Sequence, residues 1–112
     1  MHKKDLLQII EAMRQQVQVF LEDTQDDSVD DIDDVEKELS KPVNERDQKK
    51  LFRRLKRIAT TAVATFALVA APVAGMTDFL NNVTDLAEKT QFEPAQVEVL
   101  QDITRPVLLS SN

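Results

Sequence analysis

One uncharged run of twenty residues, from Ile58 to Thr77, dominates this chain of 112 residues. The densest basic stretch, KKLFRRLKR at residues 49–57, lies immediately before it. A long uncharged helix behind a group of basic residues is typical of two structures: a segment that spans a bilayer, and a helix that other helices bury on several sides. Which of the two forms depends on how apolar the run is.

The segment Ile58 to Met76 has nineteen residues, enough to cross the hydrocarbon core of a membrane. Its apolarity is weak, because its seven alanines add little to insertion and its threonines, Pro72 and Gly75 oppose it. In a helical bundle the same alanines let neighbouring helices approach closely. We therefore expect a cytoplasmic chain in which protein buries this segment. The alternative is a small membrane-anchored or membrane-active protein that is associated with the membrane through Ile58 to Met76.

The composition indicates an all-α fold. One glycine and four prolines leave few residues for tight hairpins, whereas alanine, leucine, glutamate and lysine are plentiful. A chain of this length forms one domain with a single core. There is no cysteine for a disulfide framework, and the N-terminus lacks the apolar core of a signal peptide. The expected structure is a small helical bundle or helical hairpin with one long, alanine-rich buried helix, and we expect it to be oligomeric.

Apolar residues at spacings of three and four predict helices through most of the chain. In the first helix this spacing runs from Leu6 to Phe20. The second helix is expected to stop at Pro42, and the fifth to open with Pro94 and to end before Pro106. The sequence thus predicts a single domain over residues 1–105, a loose tail at 106–112, and helices at about residues 3–22, 29–41, 45–71, 77–90 and 94–104.

Polar residues that favour helix starts stand before three of the predicted helices. Asp27 or Ser28 is expected to cap the second helix, and Asn44 the third. Thr77 or Asp78 is expected to cap the fourth. These residues predict where each helix begins.

The third predicted helix carries a regular apolar seam. Small side chains in the seam favour close packing of helices. Pro72 and Gly75 interrupt the pattern, so we expect two helices that turn at residues 71–75 in preference to one kinked helix. We expect the first helix, together with a protein partner or further copies of the chain in a homo-oligomer, to cover this seam. Its residues are Leu51, Leu55, Ile58, Ala62, Phe66 and Val69, and the spacing continues to Ala87.

Charge is divided between two neighbouring segments. Ten carboxylates and one lysine lie between Glu22 and Glu38, and seven cations lie between Arg46 and Arg57. We expect the acidic helix to fold back on the basic one, with ion pairs that set register more than stability, because an exposed pair contributes only about 0 to 1 kcal/mol. The residues expected to interact are Asp30 and Asp34 on the acidic helix and Arg53, Arg54 and Arg57 on the basic helix.

Other chemistries find less support in the sequence. A calcium loop starting at Asp26 fails, because Asp31 and Lys37 occupy the positions that need glycine and glutamate. Nearby carboxylates and a net charge of −6 disfavour nucleic-acid binding. The only histidine is His2, and we expect no catalysis, no cofactor and no metal. An acidic inhibitor or antitoxin that binds a basic partner through Asp23 to Glu38 remains a third hypothesis.

Two stretches of the sequence carry a resemblance to a known group of proteins. The segment DVEKELSKP is followed by a short polar link and then by LFRRLKRIATTAVATFA. This order resembles the helical accessory segments at the ends of bacterial proteins in phage-defence and related conflict systems, where an acidic helix ending near Lys-Pro precedes an alanine-rich Leu-Lys-x-Ile-Ala helix. The resemblance covers Asp34 to Lys89. It implies a non-enzymatic module that mediates self-assembly or couples to an effector, and it transfers no catalytic residue.

Overall fold

The computed structural model describes residues 3–20, 25–68 and 76–110, with side chains described at residues 5–17, 29–64 and 77–107. Within these residues there are five α-helices and no strand, which confirms the all-α fold. A short 3-10 turn at Val43–Glu45 lies between the second and third helices. The helices are α1 (Lys3–Phe20), α2 (Gln25–Leu39), α3 (Gln48–Leu68), α4 (Met76–Lys89) and α5 (Pro94–Ser110).

Helix α3 is one of two helices that each pack against three others. It packs against α2, α4 and α5, whereas α1 packs against α2 and α4. The seam of α3 is therefore covered mainly by α2, α4 and α5, and not by the first helix as expected. The radius of gyration is 13.2 Å, the value of a compact single domain of this length.

The core is built from the apolar positions that recur at spacings of three and four. On α1, the buried residues from Leu6 to Val17 follow this spacing, as the sequence predicts. On α3, the seam from Leu51 to Ala62 is fully enclosed. Burying one large aliphatic side chain stabilises the fold by about 1.5 to 3 kcal/mol. The largest enclosed side chains are Ile10, Met13, Ile32, Leu39, Leu51, Leu55, Ile58, Phe79, Leu80 and Leu86.

Two helix starts differ from the prediction. Helix α2 begins at Gln25, so Asp27 and Ser28 lie inside the helix and do not cap it. Helix α3 begins at Gln48, and its cap is Asp47, whose Oδ1 accepts a hydrogen bond from the amide of Lys50 at 3.0 Å. The predicted cap, Asn44, lies in the 3-10 turn. Asp47 directly precedes Gln48, and its carboxylate satisfies an amide of the first turn that has no partner within the helix, which favours this start of α3.

The described ends of the uncharged run belong to two different helices. Helix α3 ends at Leu68 and α4 begins at Met76, and the two pack against each other. Thr77 and Asp78 lie inside α4, so neither is its cap. Residues 69–75, which include the predicted turn, lie outside the described part of the chain. No helix among the described residues combines the length and the apolarity that a membrane crossing requires.

The fifth helix is longer than the sequence predicts. It runs through Pro106 to Ser110, so residues 106–110 of the predicted loose tail are helical. Val107 is buried, and the buried Thr104 hydroxyl donates to the carbonyl of Leu100 at 3.2 Å. Proline cannot donate an amide hydrogen and disfavours a helix locally. Here the burial of Val107 in the core offsets that cost.

The link between α4 and α5 is held against α3. Gln91 has φ 64, a left-handed conformation that often follows the end of a helix. The rings of Phe52 and Phe92 meet edge to face with centroids 6.0 Å apart. Gln48 Nε2 also donates to the carbonyl of Thr90 at 3.3 Å. The start of α3 is thus tied both to this link and, as described below, to the end of α2.

Candidate functional site

The acidic helix α2 has two charged sides separated by its apolar stripe. Ile32, Val35 and Leu39 form the stripe and are buried. With about 100° of turn per residue, the carboxylates divide between the two flanks of this stripe. Asp31, Asp34 and Glu38 lie on one flank, and Asp33 and Glu36 lie on the other. Each flank meets cations from a different neighbouring helix.

The flank towards α1 is bound by one arginine. Arg14 Nη2 donates to Glu36 Oε1 at 2.6 Å, and Arg14 Nη1 donates to Asp33. Burial alone would lower the pKa of Arg14, but the hydrogen bonds and negative charges of Asp33 and Glu36 outweigh it, so the pKa is raised. Arg14 therefore holds α1 to α2 as a permanently charged group.

The flank towards α3 centres on a buried carboxylate. Asp31 Oδ1 accepts from Arg54 Nη1 at 3.3 Å, and Asp31 Oδ2 lies 3.1 Å from Arg57 Nε. Asp34 Oδ2 lies 3.2 Å from Arg54 Nε, without the alignment of a hydrogen bond. The side chain of Asp31 is only 5% exposed. The expected contact between the acidic and basic helices is present, and Asp31 is its centre.

Two residues expected at this contact lie elsewhere. Asp30 and Arg53 are exposed, and neither pairs with a charged group among the described residues. One residue of shift along a helix turns a side chain by about 100°, which carries Asp30 away from the flank that Asp31 occupies. The same shift separates Arg53 from Arg54. Placing the carboxylates around the stripe of Ile32, Val35 and Leu39 would have identified Asp31 from the sequence.

The apolar residues that we expected to meet a partner are enclosed by the chain itself. Leu51, Leu55, Ile58 and Ala62 each have 0% exposed surface. The side chain of Phe66 and the whole of Val69 lie outside the described residues. The enclosed part of the seam cannot contact another molecule unless the bundle opens.

A second cluster joins the end of α2 to the start of α3. Glu38, whose side chain is 3% exposed, accepts from Lys41 Nζ at 2.7 Å and from the amide of Asp47 at 2.8 Å. The guanidinium of Arg46 donates to the carbonyls of Leu39 and Lys41 at 3.0 and 3.1 Å. The pKa of Glu38 is lowered by the Lys41 hydrogen bond first and the Asp47 amide second, against a burial effect that raises it. In the sequence Glu38 stands at the end of the acidic segment, and no separate role was predicted for it.

The lowered pKa of Glu38 makes the fold sensitive to acid. A carboxylate with a folded-state pKa below its unfolded value, about 4.5, stabilises the fold fully above that value, and this stabilisation is lost as the pH falls through the folded pKa. Glu38→Gln should lower the free energy of unfolding at pH 7 by about 1 to 2 kcal/mol. Urea unfolding from pH 7 to pH 3 should show the variant and the wild type converging in acid. If the difference in free energy of unfolding between Glu38→Gln and the wild type were constant with pH, this account would be contradicted. The exposed Glu45→Gln is the control, and it should change little.

Helix α3 presents a basic face to solvent. We define the basic face of α3 as Lys49, Arg53 and Lys56, three exposed residues at spacings of four and three. They lie opposite the buried seam. No carboxylate among the described residues forms an ion pair with any of them, in contrast to Arg54 and Arg57. The basic stretch thus serves two surfaces: one holds α2 and the other is open.

The titratable groups of the described residues do not form a metal site. No three His, Cys, Asp or Glu residues within the described ranges are grouped so that they could hold a metal ion. Arg14 and Glu38, whose pKa values are displaced, both have partners that hold helices together. The basic face of α3 is therefore the strongest candidate for a functional site.

Comparisons with known proteins give no assignment. No protein-family model matches the sequence, and neither the curated proteins nor the solved structures include a match. The resemblance to accessory segments of bacterial defence systems therefore stays a prediction. Function has to be inferred from the contacts described above.

Proposed function

We propose that this chain is a non-enzymatic helical interaction module that binds an acidic protein surface through the basic face of α3. One observation carries the proposal: Lys49, Arg53 and Lys56 are exposed together and lack carboxylate partners among the described residues, in a chain with a net charge of −6. Acidic residues outnumber basic ones by twenty to fourteen. A basic face without internal partners in such a chain is available for recognition.

The arrangement of charge also favours the binding of an acidic protein surface to the basic face of α3. A face of one sign raises the local concentration of oppositely charged partners and selects their orientation, even when each pair adds little affinity. Helix α3 is a suitable support, because its opposite side is fixed in the core and its flank is fixed to Asp31 and Asp34. The three cations are therefore presented by a rigid element.

The hypothesis of an acidic inhibitor is less well supported. The five carboxylates on the two flanks of α2 already form ion pairs with cations of the same chain. A basic partner at this helix would have to compete with Arg14, Arg54 and Arg57. Participation in a bacterial defence system is part of the proposal only through the sequence resemblance.

Zero-length carbodiimide cross-linking tests the proposal, because it joins a lysine only to a carboxylate that touches it. In a low-salt lysate of cells that naturally produce the chain, we expect a partner's Asp or Glu residues to be joined to Lys49 and Lys56. The exposed Lys37 on α2 is an internal control and should not be joined. Arg53→Gln removes no lysine, and should still lower the yield about twofold or more, because it removes one ion pair.

Two outcomes would contradict the proposal. One is equal cross-linking at Lys37 and at the basic face, which would indicate random collisions. The other is an unchanged yield after Arg53→Gln, which would show that the face does not act as a unit. Lys37→Gln changes the net charge by the same amount as Arg53→Gln, and it should leave the cross-links at Lys49 and Lys56 unchanged.

A further inference from the structure

Helix α4 presents a face of the opposite charge. We define the acidic face of α4 as Asp78, Asp85 and Glu88, which are all exposed. No cation among the described residues pairs with them, although Glu88 accepts a hydrogen bond from Gln101 Nε2 at 3.3 Å. The face lies opposite the buried residues of α4. It is an open acidic surface on a rigid helix.

The two faces match in spacing. Lys49 and Lys56 are seven residues apart on α3, and Asp78 and Asp85 are seven residues apart on α4. Seven residues of α-helix rise about 10.5 Å, so both pairs of charges are separated by the same length along their helices. Two helices lying side by side can therefore form two ion pairs at once, whichever way they run. The third charge of the basic face, Arg53, lies between the two lysines along α3. The third charge of the acidic face, Glu88, lies three residues beyond Asp85 along α4.

The two faces cannot meet within one molecule. Helices α3 and α4 pack against each other inside the bundle, and each charged face lies on the side of its helix opposite the buried residues. The basic face and the acidic face thus point away from each other. A contact between them requires two copies of the chain.

We infer that the basic face of α3 binds the acidic face of α4 on a second copy of this chain. The inference rests on the proposed function and names its partner. Because the two surfaces of the contact differ, a pair of bound copies keeps one open acidic face on one copy and one open basic face on the other, and association continues into a ring or a filament. Ion pairs on an exposed surface are weak and screened by salt, so assembly grows with protein concentration and disappears at high ionic strength.

Charge reversal on each face tests the inference. Sedimentation velocity at low salt should show a wild-type mass that rises with concentration. Reversing either face alone should leave monomers, because like charges then oppose each other. Reversing both faces should restore assembly, and it also returns the net charge to −6. The substitutions are Lys49→Glu, Arg53→Glu and Lys56→Glu on α3, and Asp78→Lys, Asp85→Lys and Glu88→Lys on α4.

Circular dichroism of every variant establishes whether it keeps its helices. If a variant loses them, a mixture of ¹⁴N and ¹⁵N wild-type chains decides the matter instead. Carbodiimide should then join Lys49 or Lys56 of one isotope to Asp78, Asp85 or Glu88 of the other. Absence of such mixed products at low salt would overturn the inference.

A wild type that stays monomeric at low salt would overturn the inference, and so would assembly that either reversal leaves unchanged. Neither result touches the proposed function, which fails if cross-linking at Lys37 equals that at Lys49 and Lys56, or if Arg53→Gln leaves the yield unchanged. Cross-links from the basic face to a different acidic protein, with no self-association, would keep the function and replace the partner. The two ideas therefore fail separately.

Discussion

Asp31→Asn should lower the free energy of unfolding by about 2 kcal/mol. The substitution keeps the size of the side chain and removes the negative charge that faces Arg54 and Arg57. Breaking a fully buried ion pair costs about 3 to 5 kcal/mol, because a charge is left without a partner. The expected cost is smaller here, since the side chains of Arg54 and Arg57 are 26% and 55% exposed and can regain water.

The neighbouring Asp30→Asn is a matched control. It changes the same charge on the same helix at an exposed position with no ion pair among the described residues. Its effect should stay within about 0.5 kcal/mol. Urea unfolding at pH 7 measures both variants. Equal losses of stability in the two would show that general charge on α2, and not the contact at Asp31, holds the acidic helix to α3.

Ala62→Leu should lower the free energy of unfolding by about 1 to 3 kcal/mol. Ala62 has no exposed surface and belongs to the seam of α3. Three extra carbon atoms at this position must displace side chains or separate helices, and overpacking of a dense core has a cost of that size. Thermal unfolding followed by circular dichroism should show a lower melting temperature.

Ala64→Leu on the same helix controls for the change of side chain itself. Ala64 is exposed, so the larger side chain has room there. Its melting temperature should be close to that of the wild type. If Ala62→Leu were as stable as Ala64→Leu, the seam would not be closely packed. If instead Ala62→Leu increased membrane association without loss of folded protein, the hypothesis of a lipid-facing helix would be favoured.

The helices and most of the core could be predicted from the sequence, because periodic spacing and burial coincide. Leu6 to Val17 and Leu51 to Ala62 are enclosed as their spacing indicates. The boundaries were harder to predict, because contacts distant in sequence decide them. The burial of Val107 stabilises the part of α5 that follows Pro106. The hydrogen bond from the backbone amide of Asp47 to Glu38 helps to place Asp47 as the cap of α3.

The charged contact could be predicted only in outline. The alternation of an acidic and a basic segment indicated that α2 and α3 pair, and Asp34, Arg54 and Arg57 do take part. Density of charge does not show which side of a helix each residue occupies, so Asp30 and Arg53 were placed at the wrong contact. The role of Arg14 was missed because the sequence indicated the basic stretch of α3 as the partner of the acidic helix. Arg14 lies on α1, outside that stretch.

Helix α3 has a buried seam on one side and the exposed basic face on the other, and this division changes where partners can bind. A seam rich in alanine appeared suited to contacts between chains, yet the chain uses its described part for its own core. The open side of the same helix is charged. Variants that change Arg53 and Lys56 together with Arg54 and Arg57 would therefore disturb the binding face and the fold at once, and the two sets have to be tested separately.

The melting temperature as a function of protein concentration tests this division most directly. At high salt, which suppresses contacts between charged faces, the account predicts the same melting temperature across a wide range of concentrations, because one chain encloses its own seam. A melting temperature that rises with concentration under these conditions would show that part of the seam is covered by another copy. That result would contradict the assignment of recognition to the basic face of α3.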